Sequence, residues 1–350
     1  MGENKKIRLG ISVGDLNGIG CEVVLKTFQD SRMLDFCTPV LFASNKTISH
    51  QKQALDIAIG FHGANHAANV VDGKINVVNV WKELPKITYG QATEEGGKYA
   101  VKSLRAAVTA LKEGSLDVLV TAPINKNNIQ ANDFKFPGHT DYLAEELEGD
   151  SLMFMVAETL RIGLLTDHIA VKDVAQTITQ KRIRDKATTM MHSLKKDFGI
   201  RKPKIAVLGI NPHSGDNGTI GKEDEKIVKP CIEALFNEGK LVYGPYSADS
   251  FFGSNTHQKF DAVLAAYHDQ GLIPFKTLSF GKGVNFTAGL DKVRTSPDHG
   301  TAYEIAGQGR ADEGSFKEAV FMAIQVFKNR TEYAELTENQ LQRHVVKRSR

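Results

Sequence analysis

Cysteine is scarce in this chain: 350 residues contain three, Cys21, Cys37 and Cys231, an odd number at wide spacing. A disulfide framework or a cysteine metal centre is thereby excluded, and the three are expected to be small buried side chains. A surplus of one charge is also missing. Lys and Arg number 44 against 41 Asp and Glu, a net charge of +3, which argues against a nucleic-acid platform and against an acidic tail. No stretch reaches the roughly 20 apolar residues of a membrane helix, and MGENKKIRLG lacks the apolar core of a secretion signal. The expectation is a cytoplasmic protein that handles small molecules, with neither nucleic acid nor membrane as partner. No repeat, no low-complexity linker and no G-x-G-x-x-G occurs; GDLNGIGCE sets Gly14, Gly18 and Gly20 in a turn that feeds a helix, outside the dinucleotide pattern.

What is present is an ordinary globular composition, 41% hydrophobic and 24% charged, in a chain long enough for two domains or one large α/β unit with a cleft. Short apolar runs alternate with amphipathic segments, the pattern of strands joined by crossover helices into a mostly parallel sheet. The strand candidates are IRLGISVG, PVLFAS, INVVNV, LDVLVTAP, LMFMVAE, RIGLLTD, KIAVLGINP and DAVLAAYHD. Helical periodicity covers Thr93 to Glu113, with Val101, Leu104, Val108 and Leu111 on one face, and also Lys172 to Phe198 and Lys222 to Glu238. From Thr331 onward the chain is strongly polar, as a loosely held terminal helix would be.

Open parallel sheets collect their chemistry at the carboxyl ends of strands. Three such ends here carry a histidine: His168 after RIGLLTD, His213 after KIAVLGINP and His268 within AVLAAYHDQGLIPFK. Separations of 45 and 55 residues make no local motif, but three imidazoles beside Asp, Asn or Gly suit a shared divalent ion with positions open to substrate. Polar groups that fit an anionic ligand accompany them. HSGDNGTIGKEDE has glycines at 215, 218 and 221 ahead of a helix; PGHTDYLAEEL puts His139 and Thr140 at a helix start, with Asp141 in the first turn; Lys276, Asn285 and Arg294 recur every nine residues among glycine and threonine. A surface loop and a simple threonine cap remain open as structural explanations of the first two.

Read in order, SVGDLNGIGCEVVLK, VTAPINK, FPGHTDYLAE, LLTDHIAVKDV, GINPHSGDNGTIGKED, GPYSADSFF, AYHDQGLIPFK and GVNFTAGLDKVRTSPDHGTAYEIAGQGRAD resemble the successive motifs of the 4-hydroxythreonine-4-phosphate dehydrogenase family, from about residue 7 to residue 325. The resemblance implies an α/β fold of the isocitrate and isopropylmalate dehydrogenase type, with two domains around a cleft. One would comprise 1–137 with 299–350 on the cofactor side, the other 138–298 with the metal, substrate and dimer contacts. It implies a homodimer whose active sites lie at the subunit interface. His168, His213 and His268 would bind the metal, zinc, cobalt or magnesium, one of them reaching across from the partner; His268 is the expected crossing ligand. His139, Thr140, Lys276, Asn285 and Arg294 would bind a phosphorylated substrate.

The implied reaction oxidises the C3 hydroxyl of 4-phosphooxy-L-threonine with NAD or NADP, followed by loss of carbon dioxide, in pyridoxal phosphate biosynthesis. Lys276 and Asp269 are the candidates for proton handling, Asp269 also for orienting His268. DHGTAYEIAGQGRAD resembles the loop that holds the adenosine end of the cofactor in β-decarboxylating dehydrogenases, which assigns His299, Gly300, Thr301 and Ile305 to it. Leu16, Cys21, Ala288 and Asp291 depart from the family pattern and bear on loop conformation, removing no expected ligand. Two alternatives are a related dehydrogenase for D-threonate or D-erythronate 4-phosphate and, from another class, a phosphate acyltransferase, which needs no metal triad.

Overall fold

The computed structural model describes residues 6–130, 134–136, 138–279 and 281–339. Twelve strands form one sheet: β1 Ile7–Ser12, β2 Cys37–Ala43, β3 His62–Ala64, β4 Asn76–Asn79, β5 Val118–Thr121, β6 Gly149–Val156, β7 Arg161–Leu164, β8 Ile205–Leu208, β9 Val242–Tyr246, β10 Ala262–Ala265, β11 Val284–Leu290 and β12 Val293–Pro297. Their order is β3-β4-β2-β1-β5-β12-β11-β6-β7-β10-β8-β9. All eight strand candidates read from the sequence are present, and the fold is α/β with a mostly parallel sheet.

The departure lies at the centre. Strand β11 pairs antiparallel with β12 and with β6, and β6 pairs antiparallel with β7, so two parallel halves meet across an antiparallel seam. Alternation explains why VNFTAGL becomes a strand there. Val284, Phe286 and Ala288 are buried in the largest core cluster with Phe316, Ala319 and Val320 of the helix Gly314–Thr337, while Asn285 and Thr287 point to the other face. That second face is polar, and it is the floor of the site described below.

Helix Glu94–Lys112 follows the expected periodicity and buries Val101, Leu104, Val108 and Leu111; the Thr93 hydroxyl caps it by accepting from the Gly96 amide. Two other helical spans are corrected. Lys172 to Phe198 divides into Val174–Thr177 and Gln180–Lys196, because the Thr179 hydroxyl accepts from the Arg182 amide and starts a new helix. Lys222 to Glu238 is a π-helical turn, Asp224–Val228, running into Lys229–Asn237. The polar segment after Thr331 continues the helix Gly314–Thr337, and residues 340–350 lie outside the described ones.

The cysteines behave as packing residues: all three are buried and unpaired, and burial pushes the Cys21 and Cys37 thiols up to about 12. Among the described residues no helix is long and apolar enough to cross a membrane. Helix Glu94–Lys112 touches the loop after β5 at Gly97, where an added Cβ would collide with the Asn128 carbonyl. Gly97→Ala is therefore expected to cost about 1–3 kcal/mol by overpacking. A denaturant midpoint equal to the parent's would show that the loop yields freely.

Candidate active site

Antiparallel pairing sets Asn285 opposite Ser296, so Asn285, Thr287, Ser296 and Arg294 share one face of the seam. Arg294 is 1% exposed. Its Nε and one terminal nitrogen donate to Thr121 Oγ1 at 3.1 and 2.6 Å, and the other donates to Thr287 Oγ1 at 3.2 Å. No carboxylate among the described residues accepts from this guanidinium, and burial lowers its pKa from 12.5 to about 9. A buried cation held only by hydroxyls is a site prepared for an anion.

Above it lies a cavity of about 250 Å³ that gathers the loops after β5, β7, β10 and β12 and the start of helix His139–Glu146. Its lining includes His139, Thr140, His168, His268, Lys276, Asn285, Arg294, His299 and Gly300. Three residues of its lining carry a buried polar atom without a hydrogen-bond partner: His139 Nε2, Asn285 Oδ1 and His299 Nε2. Each would cost free energy unless a ligand satisfied it. Burial, followed by the charges of Arg294 and Lys126, holds the His139 pKa well below 6.5, so this imidazole is neutral.

The histidine rings of 168 and 268 lie side by side, with centroids 6.1 Å apart. Residue 268 opens helix His268–Ser279, and its Nδ1 lies 2.8 Å from Asp269 Oδ1, which orients the ring and leaves Nε2 free to ligate. The His168 amide donates to Asp167 Oδ1 at 2.9 Å, and Nε2 of its ring lies 3.3 Å from Lys126 Nζ. Burial, then the Lys126 charge, lowers the His168 pKa and favours the neutral form that a metal requires. Among the described residues no three His, Cys, Asp or Glu side chains converge on one point. The donor set of one chain thus fits a divalent ion in part, with two imidazoles and room for a further ligand.

His213 stands apart from the cavity, exposed, in a turn whose residues 213 to 217 all have left-handed backbones (φ 53, 51, 81, 41 and 53°). Four of these five are not glycine, a conformation that persists only when its surroundings impose it. Buried Asp224 anchors the entry to this turn, accepting from the Ile210 and Asn211 amides at 2.8 and 3.0 Å and from Asn211 Nδ2 at 2.9 Å. The glycines of HSGDNGTIGKEDE, at 215, 218 and 221, all have positive φ, and the turn leaves His213 exposed.

Lys276 Nζ lies 3.5 Å from Asp298 Oδ1. Burial raises the Asp298 pKa, against the opposing pull of Lys276. The next residues, His299 and Gly300, line the cavity; nothing lies within 4 Å of a Cβ built on Gly300. Thr301 and Ile305 do not line it. The Thr301 carbonyl accepts from the Ile19 amide at 3.0 Å, and Ile305 packs on the main core. GDLNGIG is the anchor of this loop: buried Asp15 accepts from the Asn17 amide at 2.9 Å, from Asn128 Nδ2 at 2.7 Å and from the Tyr303 hydroxyl at 2.7 Å, tying three strand-end loops together. Asp269 also lies outside the lining, acting on His268 from behind.

The sequence signature of the family Pyridoxal phosphate biosynthetic protein PdxA matches residues 35–323. The chain belongs to the PdxA family. A relative from Bacteroides thetaiotaomicron, named 4-hydroxythreonine-4-phosphate dehydrogenase, is 47% identical over 94% of this chain and 91% of its own length. Another, from Oceanobacillus iheyensis, is named Putative D-threonate 4-phosphate dehydrogenase and is 35% identical over 92% of this chain and 98% of its own. The crystal structure of 4-hydroxythreonine-4-phosphate dehydrogenase from Klebsiella pneumoniae superposes with a TM-score of 0.79 at 30% identity, covering 93% of this chain and 99% of that one.

Within this PdxA-family site, sequence reasoning passed over Lys126, Asp298 and Asp141 as site residues. Lys126 and Asp298 were visible only as members of strand ends, in VTAPINK and RTSPDHG. Asp141 read as a first-turn acid of a helix.

Proposed function

We propose that the protein is a metal-dependent, NAD- or NADP-linked dehydrogenase that oxidises 4-phosphooxy-L-threonine at C3 to 2-amino-3-oxo-4-phosphooxybutanoate. That product loses carbon dioxide to give 3-amino-2-oxopropyl phosphate, in vitamin B6 biosynthesis. The observation that carries the reading is buried Arg294, held by hydroxyls alone, in one cavity with the paired rings of 168 and 268. It is supported by the family and by the names of the relatives. Three unpaired cysteines suit a reducing compartment, the cytoplasm.

Each group of this chain has a task in that reaction. Arg294, Asn285, His139 and Thr140 bind and orient the anionic ends of the substrate, which fixes C3 beside the imidazole pair. Asp269 holds His268 in the tautomer that leaves Nε2 free. Lys276, beside Asp298, is the group placed to move a proton to or from the substrate. His299 and Gly300 receive the nicotinamide cofactor, with Thr301 and Ile305 fixing their loop. A divalent ion bound at the histidines supplies Lewis acidity at the substrate oxygen.

A homodimer completes the site. Next to His268 and Lys276 lies a patch formed by Phe252, Tyr267, Pro274 and Ile273, the last 64% exposed, around a hollow of about 520 Å³ that also includes Asp249. His213 lies near enough to Asp249 to interact with it, beside this patch. Burying the patch against a second copy would carry His213 toward the partner's cavity. His213, rather than His268, is then the ligand that crosses. The units 1–137 with 299–350 and 138–298 are the proposed bodies on either side of the cleft, with β12 crossing that division through its pairing with β5.

The test is reduction of NAD or NADP, followed by absorbance, with zinc, cobalt or magnesium and each candidate 4-phosphate. Turnover of 4-phosphooxy-L-threonine is expected, and no signal with any combination would defeat the reading. The same assay decides a second reading, D-threonate or D-erythronate 4-phosphate as substrate, which the Oceanobacillus iheyensis relative favours.

A further inference from the structure

We propose that Asp141 selects the C2 substituent of the substrate, holding an ammonium group and so favouring an amino acid phosphate over the matching hydroxy acid. The proposal rests on the dehydrogenase reading and concerns its specificity.

The charges around the cavity single out this carboxylate. Lys126, Lys276 and Arg294 bring positive charge to the lining, and Asp141 and Asp298 bring negative charge. Asp298 already has Lys276 at 3.5 Å. Behind the lining, Asp167 accepts from the His168 amide at 2.9 Å and Asp269 lies 2.8 Å from His268 Nδ1. Asp141 has no hydrogen bond or ion pair among the described residues. A half-buried carboxylate that faces a ligand cavity and lacks a partner is complementary to a cation on that ligand.

Position agrees with charge. Asp141 lines the cavity and also a narrow extension of about 60 Å³ behind it, shared with Asp167 and with the cations Arg182 and Lys186, which donate to the Leu165 and Ser151 carbonyls rather than to Asp141. It is close enough to His168 for its charge to act on that ring. C2 is one bond from C3, the carbon oxidised beside the imidazole pair, so the partner of a C2 substituent must stand next to those rings. The two candidate substrate classes differ there: the threonine phosphate carries an ammonium and the threonate phosphate a hydroxyl. With the ammonium, Asp141 gains a charge-assisted hydrogen bond. With the hydroxyl, it is desolvated beside a phosphate and a carboxylate without a cation of its own. Asp141 also favours its helix from the first turn, an effect that would be the same for both substrates.

The test compares kcat/KM for 4-phosphooxy-L-threonine and D-threonate 4-phosphate in the parent, Asp141→Asn and Asp141→Glu, with metal and cofactor saturating. In the parent the amino acid is preferred. In Asp141→Asn the ratio of the two kcat/KM values is expected to fall by roughly 30-fold or more, and Asp141→Glu should retain most of the preference. Asp141→Ser gives the same readout if the asparagine variant folds poorly. Equal losses on both substrates, or a parent that prefers the hydroxy acid, would overturn the assignment while leaving the dehydrogenase intact. A parent inactive on both would remove the dehydrogenase reading and this inference with it.

Discussion

Arg294→Met is expected to lower kcat/KM for the phosphorylated substrate by about 10³-fold, the loss typical when a desolvated charge partner is removed, without making the protein less stable at neutral pH. The two halves share one cause. With its three hydrogen bonds ending on hydroxyls, the guanidinium is a buried ion without a counter-ion until a ligand arrives. Methionine fills similar volume with no charge to desolvate, so the gain offsets the lost hydrogen bonds. A fall of many degrees in Tm would show instead that Arg294 is a structural residue.

The same residue fixes a pH dependence. Burial puts the pKa of folded Arg294 near 9, against 12.5 for an unburied arginine. A basic group whose folded pKa is depressed contributes stability that is present above the unfolded value and lost as pH falls through the folded one. At pH 7 the full cost of the buried charge is therefore present, and it is relieved only as pH climbs past about 9. The stability of the parent relative to the methionine variant should therefore rise over that range. Substrate binding runs the other way: the anion needs the charged form, so affinity should weaken above pH 9 in the parent and not in the variant.

The second large effect concerns His213. His168→Ala and His213→Ala, each alone, should lose turnover by about 10²-fold or more, as ligand loss does at metal sites. Mixed and allowed to exchange subunits, they should recover activity. In a mixed dimer, one cavity combines an intact His168 with the intact His213 of the other subunit, and the second cavity lacks both. Random reassortment then restores roughly a quarter of the parent activity. If His213 served the cavity of its own chain, every site in the mixture would lack one ligand and no activity would return.

Much of this was legible in the sequence, for identifiable reasons. Strands such as β5 and β10 are continuous apolar runs ended by polar residues, which is what burial on both faces produces. The seam is less legible because β11 and β12 are short and interrupted by polar residues, although Val284, Asn285, Phe286 and Thr287 alternate as strands do. Alternation also carries the functional message, since the polar half faces the cavity. His139, His168 and His268 were visible because they stand at strand ends or a helix start, and Asn285 and Arg294 because they recur with Lys276 every nine residues among glycine and threonine. Lys126 and Asp298 were not, because a lysine or aspartate near a turn has no pattern of its own and gains meaning only from the His168 and Lys276 side chains folded against them. The turn at His213 was not legible, because four of its five left-handed residues are not glycine and carry no local signal for that backbone.

The most direct measurement follows NAD(P) reduction by 4-phosphooxy-L-threonine in protein stripped with a chelator, before and after a divalent ion is restored. Turnover should vanish with the metal and return with zinc or cobalt, and His268→Ala should not respond to either addition. Turnover that survives the chelator unchanged would contradict a catalytic metal at these histidines, and with it the account of how the cavity works.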